Sequence, residues 1–130
     1  MAHKILIVDD NPDEVEITMR VLSKIGKCMN LQIASTGEAA LEMLRAGDQM
    51  PSVVLLDLKM PGMSGLDTVR RIREDKRLKD IRVIVISNSS LETDKKESYA
   101  AGADYFLQKS VDIDQFSRDI EASLERWLSQ

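Results

Sequence analysis

Apolar positions along the chain are grouped in two ways. Residues 5–8, 31–34, 53–56, 81–86 and 105–107 are short, nearly continuous aliphatic or aromatic runs. A run without polar alternation offers no side to water, so each is expected to be a strand covered on both faces. Between the runs, apolar residues recur every three or four positions, which is the helical period. Val15, Met19, Leu22 and Ile25 make such a stripe behind Asn11 and Pro12. Asn11 is a capping side chain, and proline suits the first helical position because its missing N–H would have had no partner there. Ser35 to Glu38 has the spacing of a capping box, followed by Ala40, Leu41 and Leu44 and ended near Gly47. Ser64 with Asp67 opens a third helix that turns Leu66, Val69 and Ile72 inward. Ser89 with Glu92 opens a fourth, which Gly102 ends. The fifth runs from about residue 114 to 128, with Phe116, Ile120, Leu124 and Trp127 on one face.

Strict strand–helix alternation with short connections requires parallel strands and right-handed crossovers, hence an α/β fold with helices on both faces of one sheet. No internal repeat, low-complexity tract or linker interrupts it. A single domain over residues 1–130, with nothing left over for an output domain, is the expectation.

In an open parallel sheet, ligands bind beyond the carboxyl ends of the strands, where the strand order reverses. The first run is followed by Asp9 and Asp10, the third by Asp57 and the fourth by Ser87, while Lys109 lies just beyond the fifth. Singly, each has a plain structural explanation, because aspartates cap turns, serines form them and edge lysines are solvated. Together they do not. Three carboxylates on one rim raise one another's pKa unless a cation sits among them. A hard divalent ion, most simply Mg2+, removes that cost while using only one or two carboxylates plus waters. One aspartate is left to react. Lys109 and Ser87 then supply the positive charge and hydroxyl that a phosphoryl group calls for.

The bulk composition narrows the classes. With 130 residues, 43% of them hydrophobic, the chain can bury a core without disulfides or structural metal. A net charge of −4 argues against a nucleic-acid partner, which calls for a basic surface. Cys28 is the only cysteine, which excludes a disulfide framework and suits a partly buried spectator in a reducing compartment. No segment approaches the roughly 20 apolar residues of a membrane span, and the first residues lack a secretory pattern, so no membrane partner and a cytoplasmic location are expected. His3, the only histidine, reads as a plain surface residue ahead of the first strand.

Four segments carry a family resemblance that spans essentially the whole chain: VDD at residues 8–10, LLDLKMPGMSG at 55–65, VISNSS at 85–90 and AGADYFLQK at 101–109. They are similar to the motifs of response-regulator receiver domains of two-component signalling. The resemblance implies a five-stranded, flavodoxin-like (βα)5 fold with strand order 2-1-3-4-5. It implies Asp57 as phosphoacceptor, Mg2+ held by Asp10, Asp57 and the backbone carbonyl of Lys59, and Asp9 holding the ion through water. It further implies that Lys109 pairs with a phosphoryl oxygen, Ser87 swings to the phosphoryl group and Phe106 turns inward in response. Such a domain catalyses only its own phosphorylation and dephosphorylation. Its implied partners are a sensor histidine kinase and a downstream protein target or phosphotransfer protein, the latter if it is a phosphorelay intermediate. A homodimer through the face of the fourth helix, fifth strand and fifth helix stays open. The fourth helix has few apolar anchors, chiefly Leu91 and Tyr99, and is expected to be weakly held.

KSVDIDQF at residues 109–116 is more loosely similar to the lone receivers that accompany bacterial phytochrome-type kinases. Several positions depart from the family pattern. Ser110 replaces the proline that usually follows the lysine, so a cis Lys109–Ser110 bond would cost about 2.5–4 kcal/mol against trans; retention of cis is the expectation. Asn88 and Lys59 flank the acceptor and should alter the lifetime of the phosphoryl group, and Phe106 lacks the tyrosine hydroxyl. The rival class is a haloacid-dehalogenase-type phosphatase, whose first strand is followed by acids two residues apart rather than adjacent. A flavodoxin-type flavin carrier would need a phosphate loop where this chain has acids that repel FMN.

Overall fold

The computed structural model describes residues 3–25, 29–47, 50–60, 62–109 and 112–128, with Trp127 and Leu128 described in backbone only. Five strands alternate with five helices: β1 His3–Val8, α1 Pro12–Ser23, β2 Met29–Ala34, α2 Gly37–Ala46, β3 Val53–Asp57, α3 Gly65–Glu74, β4 Arg82–Ser87, α4 Glu92–Ala101, β5 Tyr105–Gln108 and α5 Ile113–Leu128. The strands form one parallel sheet in the order β2-β1-β3-β4-β5. Each apolar run predicted as a strand lies in one, except that Ile81, the first residue of the fourth run, precedes β4.

Because side chains alternate along a strand, the continuous runs serve two cores at once. Leu6, Val8, Val54, Leu56, Val83 and Val85 face the layer of α2, α3 and α4. Ile5, Ile7, Val53, Leu55, Ile84 and Ile86 face α1 and α5, where Val15, Val21, Leu22, Phe116, Ile120 and Leu124 meet them. This two-sided burial explains why the runs of β1, β3 and β4 show no polar alternation; β2, at the edge of the sheet, is covered only in part, with Ile33 44% exposed, against the expectation of burial on both faces.

Two helix starts differ from expectation. Asn11 caps α1 as predicted, accepting from the N–H groups of Asp13 and Glu14. Along α1, however, Thr18 is buried and Met19 is 36% exposed, because the face is centred on Val15, Thr18 and Leu22. α2 is capped by Thr36, which accepts from Ala39, so the cap lies one residue beyond the predicted Ser35. α4 begins after Leu91 with no side-chain cap; Ser89 instead donates to Asp94 at 2.5 Å and accepts from the Leu91 N–H. Ser64 caps α3 as expected. His3 is the half-buried first residue of β1, opposite Met29, rather than preceding the strand.

α4 is the least anchored helix: only Ser98 and Ala101 are buried, while Leu91 is 59% and Tyr99 39% exposed. It is fastened at its far end. Gly102 takes φ +116°, a left-handed value that favours glycine, and ends the helix. The Arg73 guanidinium donates to the carbonyls of Gly102, Lys79 and Ile81 and to the Asp104 carboxylate, joining the ends of α3 and α4 to the start of β4. No helix among the described residues is long and apolar enough to cross a membrane. The predictions for Cys28, Trp127 packing and the Lys109–Ser110 bond lie outside what is described.

Candidate phosphoacceptor site

Strand register sets the site. Val8 lies opposite Leu56, so Asp9 follows at the level of Asp57, and Asp57 lies opposite Ile86, one residue before Ser87. Ser87 lies opposite Gln108, which places Lys109 next along the rim. Backbone bonds hold these ends: the Asp9 N–H donates to the Ala34 carbonyl at 3.1 Å, and the Lys109 N–H to the Ser87 carbonyl at 2.7 Å.

Asp9, Asp10 and Asp57 converge, with one ligand oxygen from each lying within 4.8 Å of the others. Asp9 is 6% exposed, Asp57 half-buried and Asp10 exposed. The Asp9 Oδ1 accepts from the Asn11 N–H at 3.0 Å, so the acid pocket also fixes the start of α1. Lys109 reaches in from β5, its Nζ lying 3.3 Å from Asp9 and 4.0 Å from Asp57.

The charges in this arrangement are unequally compensated. Burial, reinforced by the neighbouring Asp9 charge, pushes the Asp57 carboxyl up to about 7 despite Lys109. Burial also raises Asp9, with the Asn11 N–H and Lys109 pulling the other way. For Lys109, burial would favour the neutral amine, but the hydrogen bond to Glu14 and the charges of Asp9 and Asp57 prevail and raise its pKa. One ammonium therefore does not neutralise the carboxylates. The donor set, three carboxylates of which one is exposed and open to water-bearing ligands, fits a hard divalent ion of the Mg2+ or Mn2+ kind.

The remaining predicted positions are Ser87, Phe106 and Lys59. Ser87 is buried and its Oγ accepts from the Ser89 N–H at 3.0 Å. Phe106 is buried against the α2–α3–α4 layer, and its N–H donates to the Tyr99 hydroxyl at 3.2 Å. Its ring lies inward, among the residues of that layer. Lys59 is exposed in the loop after β3. That loop is closed by the Gly65 N–H donating to the Leu58 carbonyl at 3.0 Å. A Cβ on Gly65 would collide with the Asp57 carbonyl oxygen, which explains the glycine.

Glu14 was missed. Its Oε2 accepts from Lys109 Nζ at 2.8 Å and its Oε1 from Asn88 Nδ2 at 3.1 Å. Burial alone would raise it, but these bonds hold its carboxyl below the ordinary range. In the sequence it reads as an acid suited to the positive end of α1. No signal in the sequence marked it, because Thr18, one helical turn further on, faces inward only once α1 is seated in the structure.

Residues 5–121 match the response regulator receiver domain family. The chain belongs to that family. As a receiver it is similar to Protein PilH of Pseudomonas aeruginosa, at 33% identity over 93% of this chain and 97% of PilH. In structure it is similar to the phosphorylated cyanobacterial phytochrome response regulator RcpA, with a TM-score of 0.90 at 28% identity, covering 99% of this chain and 96% of RcpA. It is also similar to the Mn2+-bound form of the response regulator Rcp1, with a TM-score of 0.85 at 27% identity, covering 97% and 94% of the two chains. The receiver is thus a signalling domain of the two-component kind, with the flavodoxin-like order expected from its motifs.

Proposed function

We propose that this receiver accepts a phosphoryl group on Asp57 from the phosphohistidine of a sensor histidine kinase, with Mg2+, and signals by changing its protein–protein contacts. The observation that carries the reading is the gathering of Asp9, Asp10 and Asp57 within 4.8 Å beneath a lysine 4.0 Å from Asp57. Asp10, Asp57 and the Lys59 carbonyl would hold the ion directly, and Asp9 through water. When bound, the ion supplies positive charge against the carboxylates and the incoming phosphoryl oxygens.

In the transfer, an Asp57 carboxylate oxygen forms a bond to phosphorus as the phosphorus–nitrogen bond of the donor imidazole breaks; the electron pair stays with the imidazole, which takes up a proton. Phosphoryl transfer through a loose transition state asks mainly for positioning and charge neutralisation. Lys109, rooted by its backbone bond to Ser87, supplies an ammonium to a phosphoryl oxygen. Ser87, whose Oγ accepts from the Ser89 N–H, supplies its hydroxyl hydrogen to a phosphoryl oxygen. The product adds about −1.5 to −2 charges at one spot. That charge biases the β4–α4 loop and α4, whose weak anchoring suits a two-state element. The output is contact with a downstream target or a phosphotransfer protein in the cytoplasm. A kinase of phytochrome type is the partner class we favour, supported by the likeness to RcpA.

The test is incubation with Mg2+ and acetyl phosphate, read by intact mass. One added phosphoryl group is expected, lost in Asp57→Asn and lost with a chelator. An unmodified wild type under these conditions overturns the reading.

A further inference from the structure

Glu14 stands outside the trio suited to an ion, yet it is the nearest anion to Lys109, the one cation that reaches Asp57 among the described residues. Lys109 Nζ lies 2.8 Å from Glu14, against 3.3 Å for Asp9 and 4.0 Å for Asp57. The Lys109 side chain is 9% exposed and that of Glu14 25%, so water screens the pair only in part. Asn88 holds the other Glu14 oxygen at 3.1 Å and so fixes the carboxylate toward the lysine. Asn88 directly follows Ser87, which makes the bridge a tie between α1 and the β4–α4 loop.

The lysine root is fixed by its backbone bond to Ser87, so only its stem can move. An ammonium hydrogen-bonded to a carboxylate has a charge-assisted bond, roughly twice as strong as a neutral one. Whatever draws Lys109 to a phosphoryl oxygen on Asp57 acts against that bond. We infer that Glu14 is a positioning residue that restrains Lys109 at rest: held by Asn88, it draws the ammonium to the α1 side of the pocket, and phosphoryl acceptance at Asp57 competes with that pair for the ammonium. This rests on Asp57 as the acceptor. As Lys109 is drawn away, Glu14 loses its cation and its reason to stay aligned with Asn88. Phosphorylation then loosens the tie between α1 and the loop that leads to α4.

Removing the restraint should make acceptance easier. The experiment uses the full chain with Mg2+, titrated with beryllofluoride as a phosphoryl mimic, and compares initial rates of phosphorylation by acetyl phosphate. Glu14→Gln is expected to bind beryllofluoride about ten-fold more tightly and to phosphorylate faster, a coupling of ordinary size. Asn88→Ala, which changes no charge, should shift both readouts in the same direction by a smaller factor. The double variant should match Glu14→Gln alone, because Asn88 acts through Glu14. Glu16→Gln removes an equal charge from the exposed side of α1 and should leave both readouts unchanged. Equal effects of Glu14→Gln and Glu16→Gln would reduce the role to net charge and overturn the proposal. So would unchanged or weaker binding in Glu14→Gln, or, should that variant not fold, in Asn88→Ala. A wild type that binds no mimic at all overturns the acceptor reading itself, and this one with it.

Discussion

In the absence of divalent ions, raising the pH should destabilise this receiver through Asp57. Its carboxyl moves from an ordinary 3.8 to about 7 in the folded chain, because burial and the Asp9 charge both disfavour the anion. A carboxyl raised in this way stabilises the fold most below its unfolded value, and the contribution is lost as pH rises through the folded value. Each unit is worth ~1.4 kcal/mol, so the complete loss is ~4 kcal/mol, of which ~2.5 kcal/mol falls between about pH 5 and about pH 8. Asp9 shifts in the same direction and adds to the slope. Lys109 is raised above 10.5 and titrates outside this window; Glu14 is lowered below 4.5 and does likewise. The assay is urea unfolding across that range with a chelator present, for wild type and Asp57→Asn. The variant, which cannot ionise there, should show a pH dependence flatter by ~2.5 kcal/mol. Mg2+ at about one hundred times its dissociation constant should restore ~2.7 kcal/mol to the wild type and much less to the variant. Parallel curves in chelator, or equal stabilisation of both proteins by Mg2+, would refute the electrostatic account of the site.

Three further outcomes are expected. Gly65→Ala places a Cβ against the Asp57 carbonyl and the Leu58 backbone, which cannot move aside as a side-chain tip would; urea unfolding should show a loss of about 2–3 kcal/mol. Its acetyl-phosphate labelling should also slow, and wild-type stability would show that the loop yields freely. Arg73→Met strips donors from three carbonyls and from Asp104 and should cost about 2–4 kcal/mol by the same assay. A cost within about 0.5 kcal/mol, the range of an ordinary surface change, would mean that water replaces the guanidinium. In hydrogen exchange, α4 amides should exchange faster than those of α3, whose Val69 and Ile72 are fully buried. Equal protection would remove the argument that α4 is the loosely held element.

Much of the site was legible because it follows directly from strand ends. Asp9, Asp10, Asp57, Ser87 and Lys109 each stand one or two residues past an apolar run, and parallel strands in register carry such residues to one rim. Where expectation slipped, packing decided between close local alternatives. Thr36 rather than Ser35 caps α2, and Thr18 rather than Met19 faces inward on α1, since adjacent residues satisfy the same spacing almost equally well. At α4 a favourable Ser89–Glu92 spacing was overridden when Ser89 turned to Asp94.

Local pattern alone was enough for the order and type of the elements and for the acids at the rim, because periodicity, caps and strand-end positions are written within a few consecutive residues. How charge is shared there is a matter of long-range packing. Lys109 and Glu14 are 95 positions apart, and Asn88 and Glu14 are 74 apart. No local pattern links them. Their contact depends on how α1 is seated against the sheet, and the rise of Asp57 to about 7 depends on the burial and neighbouring charge that this same packing creates.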